Sequence, residues 1–396
     1  MQQLADHLIA SGLFGAHPPR DLIYALIIFV LCLVVFMGIA FPFAAIVTWV
    51  ERRVWARIQS RVGPNRVGPN GFLQWLADGV KLACKEDIIP NQADPRLFKA
   101  APYLVMIAYV LPWAVVPFSS DLILADLNVG ILYMTAVTAL TVVGVLMAGW
   151  ASNDKWSLIG GIRSAAQIVS YEIPAGLSIF PVVLITGTLS MQGIIRAQGW
   201  APNNWFLFNN PFTFAAASIQ FISALAEGNR TPFDLPEAES ELVAGYVTEY
   251  SGLRYLFFFM AEWGALFIIG AIVTALFLGG WQFPHLSHSR VVMNVLQLIT
   301  FNVKVLSVVF LSMWIRATLP RVRIDQLMSL CWKYFVPMSF INLIGTALWV
   351  AIWPDGNPVA GYIMAVLAFV VLVIFLRRVI YYLRKSRMEI YVSPVI

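Results

Sequence analysis

The chain has 396 residues, 60% hydrophobic and 12% charged, with a net charge of +5 and a mean hydropathy of +0.77. A soluble domain carries about 25% charged residues, so the composition excludes a water-soluble enzyme and points to an all-α polytopic integral membrane protein. The basic excess needs no nucleic-acid partner, because anchoring beside anionic membrane lipid accounts for it.

Nine apolar runs approach or exceed the roughly 20 residues that cross a bilayer: 22–50, 97–118, 130–151, 173–191, 212–225, 256–281, 293–315, 335–353 and 359–376. The first starts after Arg20 and Asp21 and is too long for a signal-peptide core, so it reads as a retained helix. The fifth is short and reads as a tilted or partial span. The expected organisation is an outside segment over 1–21, a membrane domain over 22–354, and an additional span with a basic cytoplasmic tail over 355–396. Lysine and arginine orient it. With Met1 outside, 22 of the 26 basic residues fall on the cytoplasmic side and only Arg20, Arg196 and Arg290 fall outside, which the positive-inside rule demands.

After the first span comes Glu51-Arg52-Arg53, then a doubled turn, Arg61-Val-Gly-Pro-Asn and Arg66-Val-Gly-Pro-Asn. Each Gly-Pro stops and turns the chain. Residues 72–85 follow, with Phe72, Leu73, Trp75, Leu76, Val80 and Leu82 toward one face and Gln74, Asp78, Lys81 and Lys85 on the other. That spacing predicts an amphipathic helix in the interface plane, either a packing element or the wall of a lipid-side entrance.

Ionisable residues within spans are rare and usually functional. Here they are Glu172 near the start of the fourth predicted span, Glu262 in the sixth and Lys304 in the seventh. Asn294, Gln297 and Lys304 form a polar stripe expected to face the bundle, with several carboxylates sharing the one lysine. A structural Lys–Glu pair is the plainer reading, and a proton or water path the favoured one. Between the fifth and sixth spans lies the most unusual segment, in which Glu227, Asp234, Glu237, Glu239, Glu241 and Glu249 surround a single Arg230. Repulsion among these acids costs free energy and favours protonation. If 237–250 is helical, Glu237 and Glu241 share a face while Glu239 points elsewhere, and one proton is expected to be shared among the three.

No nucleotide-binding glycine motif and no hydrolytic or redox set occurs. Cys32, Cys84 and Cys331 are scattered without a CxxC pair, and His7, His17, His285 and His288 all fall outside in this topology. No metal site and no cofactor on this chain are expected.

The strings Glu51-Arg52-Arg53, Gln59-x-Arg61-x-Gly63-Pro64-Asn65, Ala77-Asp78-Gly79-x-Lys81, Ser170-Tyr171-Glu172-Ile173-Pro174, Glu227-x-Asn229-Arg230-Thr231-Pro232-Phe233-Asp234-Leu235-Pro236-Glu237 and Pro320-Arg321-x-Arg323-x-Asp325-Gln326-Leu327-Met328 stand in order along the chain. Together they resemble the H subunit, the mitochondrial subunit 1 type, of proton-pumping NADH:quinone oxidoreductase, respiratory complex I. The resemblance implies a subunit at the joint of the membrane and peripheral arms, forming with partner subunits the cavity for a lipid quinone (ubiquinone class). FMN and iron–sulfur clusters would lie in those partners. The family's quinone-cavity residues match Glu51, Arg52, Arg61, Asp78, Arg230, Asp234 and Arg316. Its path of acids matches Glu172, Glu227, Glu237, Glu239, Glu241, Glu249 and Glu262. The expected location is a bacterial inner membrane, with the mitochondrial inner membrane as alternative. Residues 359–396 follow the last motif and read as a lineage-specific addition. Two other readings are an anchor of a related membrane-bound hydrogenase and an independent cation/proton transporter. The second is disfavoured by the lack of paired repeats with broken helices.

Overall fold

A computed structural model of the chain describes residues 41–236, 238–284 and 289–353, with isolated positions within 26–38 and 359–377. The outside segment 1–21, most of the first predicted span, Glu237, His285, His288 and nearly all of the ninth span and tail lie outside the described residues. Regular structure among the described residues is helical. Among the described residues, six helices are long and apolar enough to cross a membrane: Pro95–Val115, Gly130–Ala151, Lys155–Thr186, Gly252–Phe277, Arg290–Thr318 and Ile324–Ile352. The chain is therefore an all-α, multi-pass membrane protein.

Helix α1 (Phe41–Ile58) leads into the doubled turn. The second turn folds back on the first: Gly71 has φ +70 and any Cβ there would collide with the Pro64 carbonyl, so only glycine fits. The carbonyl of Asn70 accepts from Trp49 Nε1 at 3.3 Å and Arg53 Nη2 at 2.8 Å, which ties the turn to α1. Helix α2 (Gln74–Cys84) follows with no buried residue, and Leu76 and Val80 stand exposed. This agrees with the expected surface helix.

Helix α3 (Pro95–Val110) opens on Asp94, whose carboxylate caps the amides of Arg96 and Leu97. The third span runs through α4 (Gly130–Thr138) and α5 (Leu140–Ala151), and Ala139 between them keeps right-handed helical geometry. Helix α6 (Lys155–Thr186) corrects the fourth predicted span. It starts at the Asp154 cap and runs 32 residues, about 48 Å at 1.5 Å per residue. Glu172 is therefore near its middle and not near its start. Lys155 and Arg163 lower the hydropathy of its first third, which hid that third from a search for apolar runs.

Short α7 (Met191–Ala197) precedes α8 (Pro211–Glu227), whose 17 residues begin with a reciprocal Asn210–Thr213 capping box. At about 25 Å, α8 is shorter than the roughly 30 Å hydrocarbon core, and it packs among α6 and the helices defined next. Among the described residues, the predicted 237–250 helix is reduced to a four-residue helix α9 (Glu239–Leu242) and a 3-10 turn over Gly245–Val247. Val243 and Gly245 take positive φ and break it. Gly245 lies so close to Gly160 of α6 that a Cβ on Gly160 would sit 2.6 Å from the Gly245 Cα, which fixes the acidic segment against α6.

Helix α10 (Gly252–Phe277) is the bundle's centre, mostly buried and packed on α3, α8 and α11 (Arg290–Thr318). Phe267 of α10 stacks on buried Trp113 with ring centroids 4.6 Å apart. After α11, short α12 (Ile324–Ser329) and a π-helical stretch Leu330–Phe335 lead into α13 (Val336–Ile352). On α13, Ile341, Ile344 and Leu348 are exposed at helical spacing, an apolar stripe suited to lipid or to another apolar helix.

Candidate functional site

Consecutive residues on α1 point to different partners. Glu51, 6% exposed, accepts from Arg316 Nη1 of α11 at 2.8 Å, and the Arg316 guanidinium stacks over Trp55 at 4.8 Å. Arg52 turns outward to α2, where Asp78 accepts from its Nη1 at 2.7 Å and from Gln74 Nε2 at 3.1 Å. A turn of about 100° per residue thus lets one motif serve two elements. Arg61 is exposed in the first Gly-Pro turn.

The segment after α8 is held against α6 by side-chain amides. Gln167 Nε2 donates to the carbonyls of Ala226 and Phe233, both at 2.8 Å, and Asn229 Nδ2 donates to Ser164 Oγ at 3.1 Å. So anchored, the segment buries Arg230, 3% exposed, with Nη1 at 3.2 Å from Glu262 Oε1 and the guanidinium 4.4 Å over the Trp263 ring. It also sets Asp234 3.0 Å from Arg321 Nη2. Burial pushes the Asp234 carboxyl above the ordinary carboxylate value, while neighbouring Arg321 and Arg316 pull it back. Five of the expected quinone-cavity and path residues, Glu51, Arg316, Asp234, Arg230 and Glu262, thus fall into three partly buried ion pairs, Arg321 completing the third.

From Glu262 the acids continue inward through two adjoining cavities. One, of about 20 Å³, is lined by Glu262 and Glu227. The other, of about 40 Å³, is lined by Glu227 and Glu172. A water needs roughly 10–15 Å³ of such volume and two to four polar partners, so both are large and polar enough to be wet. Glu227 is the last residue of α8, where a carboxylate meets the negative end of the helix dipole. The protein thus holds an acid where nothing in the helix favours its charge.

Other expected residues are placed elsewhere. Lys304 does not join the carboxylates. Its ammonium donates to the carbonyls of Leu278 at 2.8 Å and Gly280 at 2.9 Å, just past the end of α10, and lies 4.7 Å over Trp205. Cations stabilise helix C-termini, so its geometry is that of a cap. The rest of the polar stripe holds the 116–129 segment: Asn294 Nδ2 donates to Asp121 Oδ2 at 3.0 Å, and Gln297 Oε1 accepts from Ser120 Oγ at 3.0 Å. Glu241 is paired at 2.6 Å with Arg163 of α6, and Glu249 is half-buried beyond the Gly245 turn. Glu237 and the Glu239 side chain lie outside the described residues, and the 237–250 helix on which Glu237 and Glu241 were expected to share a face is interrupted among the described residues at Val243 and Gly245.

Sequence reasoning missed Tyr109, Arg163 and Arg321 as site neighbours. Arg321 could have been found, since it stands in the motif that runs from Pro320 to Met328. Tyr109 could not, because one tyrosine in an apolar run carries no signal.

The family model described as NADH dehydrogenase matches residues 30–347. The chain is 53% identical over 347 residues to the H subunit of NADH-quinone oxidoreductase from Anaeromyxobacter dehalogenans, covering 83% of this chain and 84% of that one. Proteins of the same name are 48% identical in Chlorobaculum tepidum (76% of this chain, 86% of that one) and 43% identical in Syntrophotalea carbinolica (84% and 99%). By the length and strength of these matches the chain belongs to the NADH dehydrogenase family, among the H subunits of NADH-quinone oxidoreductase, the membrane components of complex I.

Proposed function

We propose that this subunit forms the passage by which a lipid quinone approaches its reduction site, and that it couples the reduction to proton movement along Glu262, Glu227 and Glu172. The observation that carries the reading is the unbroken order of charges. The pairs Glu51–Arg316 and Asp234–Arg321 lead to Arg230–Glu262, and from there two water-sized cavities share Glu227 and end on Glu172. In this reading Arg52, Asp78 and Arg61, beside the surface helix α2, flank the quinone's entrance. FMN and iron–sulfur clusters belong to partner subunits of the complex, and other membrane subunits receive the charge signal.

The chain itself supplies positioning and protons. A buried arginine held on a carboxylate and an aromatic face is a cation whose partner changes when the carboxylate is protonated. If quinone reduction draws a proton from the Arg230–Glu262 end, Glu227 is the next acid inward. The 22-to-3 distribution of basic residues supports Met1 outside and the C-terminus in the cytoplasm of a bacterial inner membrane.

Glu227→Gln is the test. The complex is expected to assemble on native gels and to pass electrons to artificial acceptors at the normal rate, while quinone reduction and proton pumping fall together. Normal pumping in the assembled variant would end the proton reading. For the passage, Arg316→Gln is expected to raise the apparent KM for quinone, and unchanged quinone kinetics would remove Arg316 from the cavity.

A further inference from the structure

The two cavities meet at a wall formed by residues that line both: Tyr109, Thr141, Ile168, Glu227 and Gly228. Glu262 opens only into the smaller chamber and Glu172 only into the larger. Ile168 and Gly228 cannot carry a proton. A proton crossing the wall therefore has two routes, the Glu227 carboxyl and the hydroxyls of Tyr109 and Thr141.

Tyr109 comes from α3 and Thr141 from α5, and both side chains line the wall shared by the two chambers. Thr141 Oγ1 donates to the Thr138 carbonyl at 2.8 Å. That commits the threonine proton, so Thr141 offers the wall only an acceptor oxygen. The phenol lies in the field of Glu227, Glu262 and Arg230, and Tyr109 lines both chambers. A tyrosine hydroxyl both donates and accepts, so it can exchange protons with water on either side.

We infer that Tyr109 is a proton relay between the Glu262 and Glu172 chambers, working in parallel with Glu227. The inference rests on the proton path proposed above. A protonated water on the Glu172 side hands a proton to the phenolic oxygen as the phenol releases its own proton to water on the Glu262 side. One O–H bond forms for each that breaks, and the ring stays neutral before and after. Glu227 can hold a proton, whereas Tyr109 only passes one, so the pair separates storage from transfer.

Tyr109→Phe keeps the ring and removes only the hydroxyl. In membrane vesicles holding the whole complex, this variant is expected to assemble and to reduce artificial upstream acceptors normally. Quinone reduction and vesicle acidification should both fall by roughly tenfold. That is less than the roughly 10²–10⁴-fold typical of a positioned acid–base group, because Glu227 leaves a second route. The slowing in D2O should be larger than in the unaltered complex, and Tyr109→His, which restores a group able to exchange protons, should recover part of the rate. Unchanged rate, acidification and D2O ratio in Tyr109→Phe would overturn the relay, as would loss of the assembled complex, which would make the hydroxyl structural. Glu227→Gln separates the two levels. If it blocks pumping while Tyr109→Phe does not, the relay alone falls; if neither has an effect, the path beneath it falls as well.

Discussion

Removing the Glu262 carboxylate should strand the most deeply buried cation of the site. Arg230 is 3% exposed, its Nη1 lies 3.2 Å from Glu262 Oε1, and its guanidinium also meets the Trp263 face and, at 3.4 Å, the Glu262 backbone carbonyl. Two unit charges about 4 Å apart attract by ~4 kcal/mol at an effective dielectric near 20. Stranding one charge of a buried pair costs about 3–5 kcal/mol. Glu262 keeps a quarter of its side-chain surface open, 24%, so the lower end applies, about 3 kcal/mol for Glu262→Ala. Glu262→Gln should cost about 1–2 kcal/mol, since an amide oxygen can still accept from the guanidinium. Removing both charges in Arg230→Met with Glu262→Leu should recover much of the Ala loss, because no uncompensated charge stays buried. The assay is the half-life of intact purified complex during heating, read on native gels, which suits a large assembly that unfolds irreversibly. A loss of about 3 kcal/mol shortens that half-life by up to about 10²-fold if this pair breaks in the rate-limiting step. A double variant less stable than Glu262→Ala would refute the reasoning, since the pair would then matter for its packing and not for its charge.

Lys304→Met should reduce heat stability by about 1–3 kcal/mol through loss of two charge-assisted carbonyl bonds, with pumping per assembled complex retained; lost pumping at full stability would return Lys304 to the acidic path. Arg163→Ala should cost no more than about 1 kcal/mol, because the Glu241 carboxylate is 54% exposed and such pairs are screened; added salt should erase the difference, and a large salt-insensitive loss would contradict this. For Asp234, burial raises the folded-state carboxyl pKa, so its contribution to stability is full below the ordinary carboxylate pKa and is lost as pH rises through the raised value. The melting difference between the unaltered complex and Asp234→Asn should accordingly shrink as pH rises across that window; a difference that grows would reverse the sign. A reporter active only in the cytoplasm, fused after Ile396, should give signal, and silence there would overturn the topology.

Composition and run length alone determined that this chain is a bundle of membrane helices. The bilayer reads hydropathy locally, and a stretch of apolar residues must form a helix there to satisfy its backbone. The surface helix was legible for the same reason, its amphipathic spacing being a local property. Motif strings gave the family and singled out Glu51, Asp78 and Arg230 before any contact was known, and Glu262 stood out as an ionisable residue within an apolar run. The 237–250 helix failed because the spacing of acids said nothing of Gly245, which abandons helical geometry to pack against Gly160. Lys304 looked like the partner of the membrane carboxylates because charge opposes charge in sequence as in space. Only the packing of α10 on α11 showed that helix-end carbonyls had claimed it. Glu51 with Arg316, Arg230 with Glu262, and Tyr109 on the wall between two chambers are likewise products of tertiary structure. Such pairings join residues up to 265 positions apart, and which faces meet depends on helix crossing and depth, neither of which a local pattern encodes.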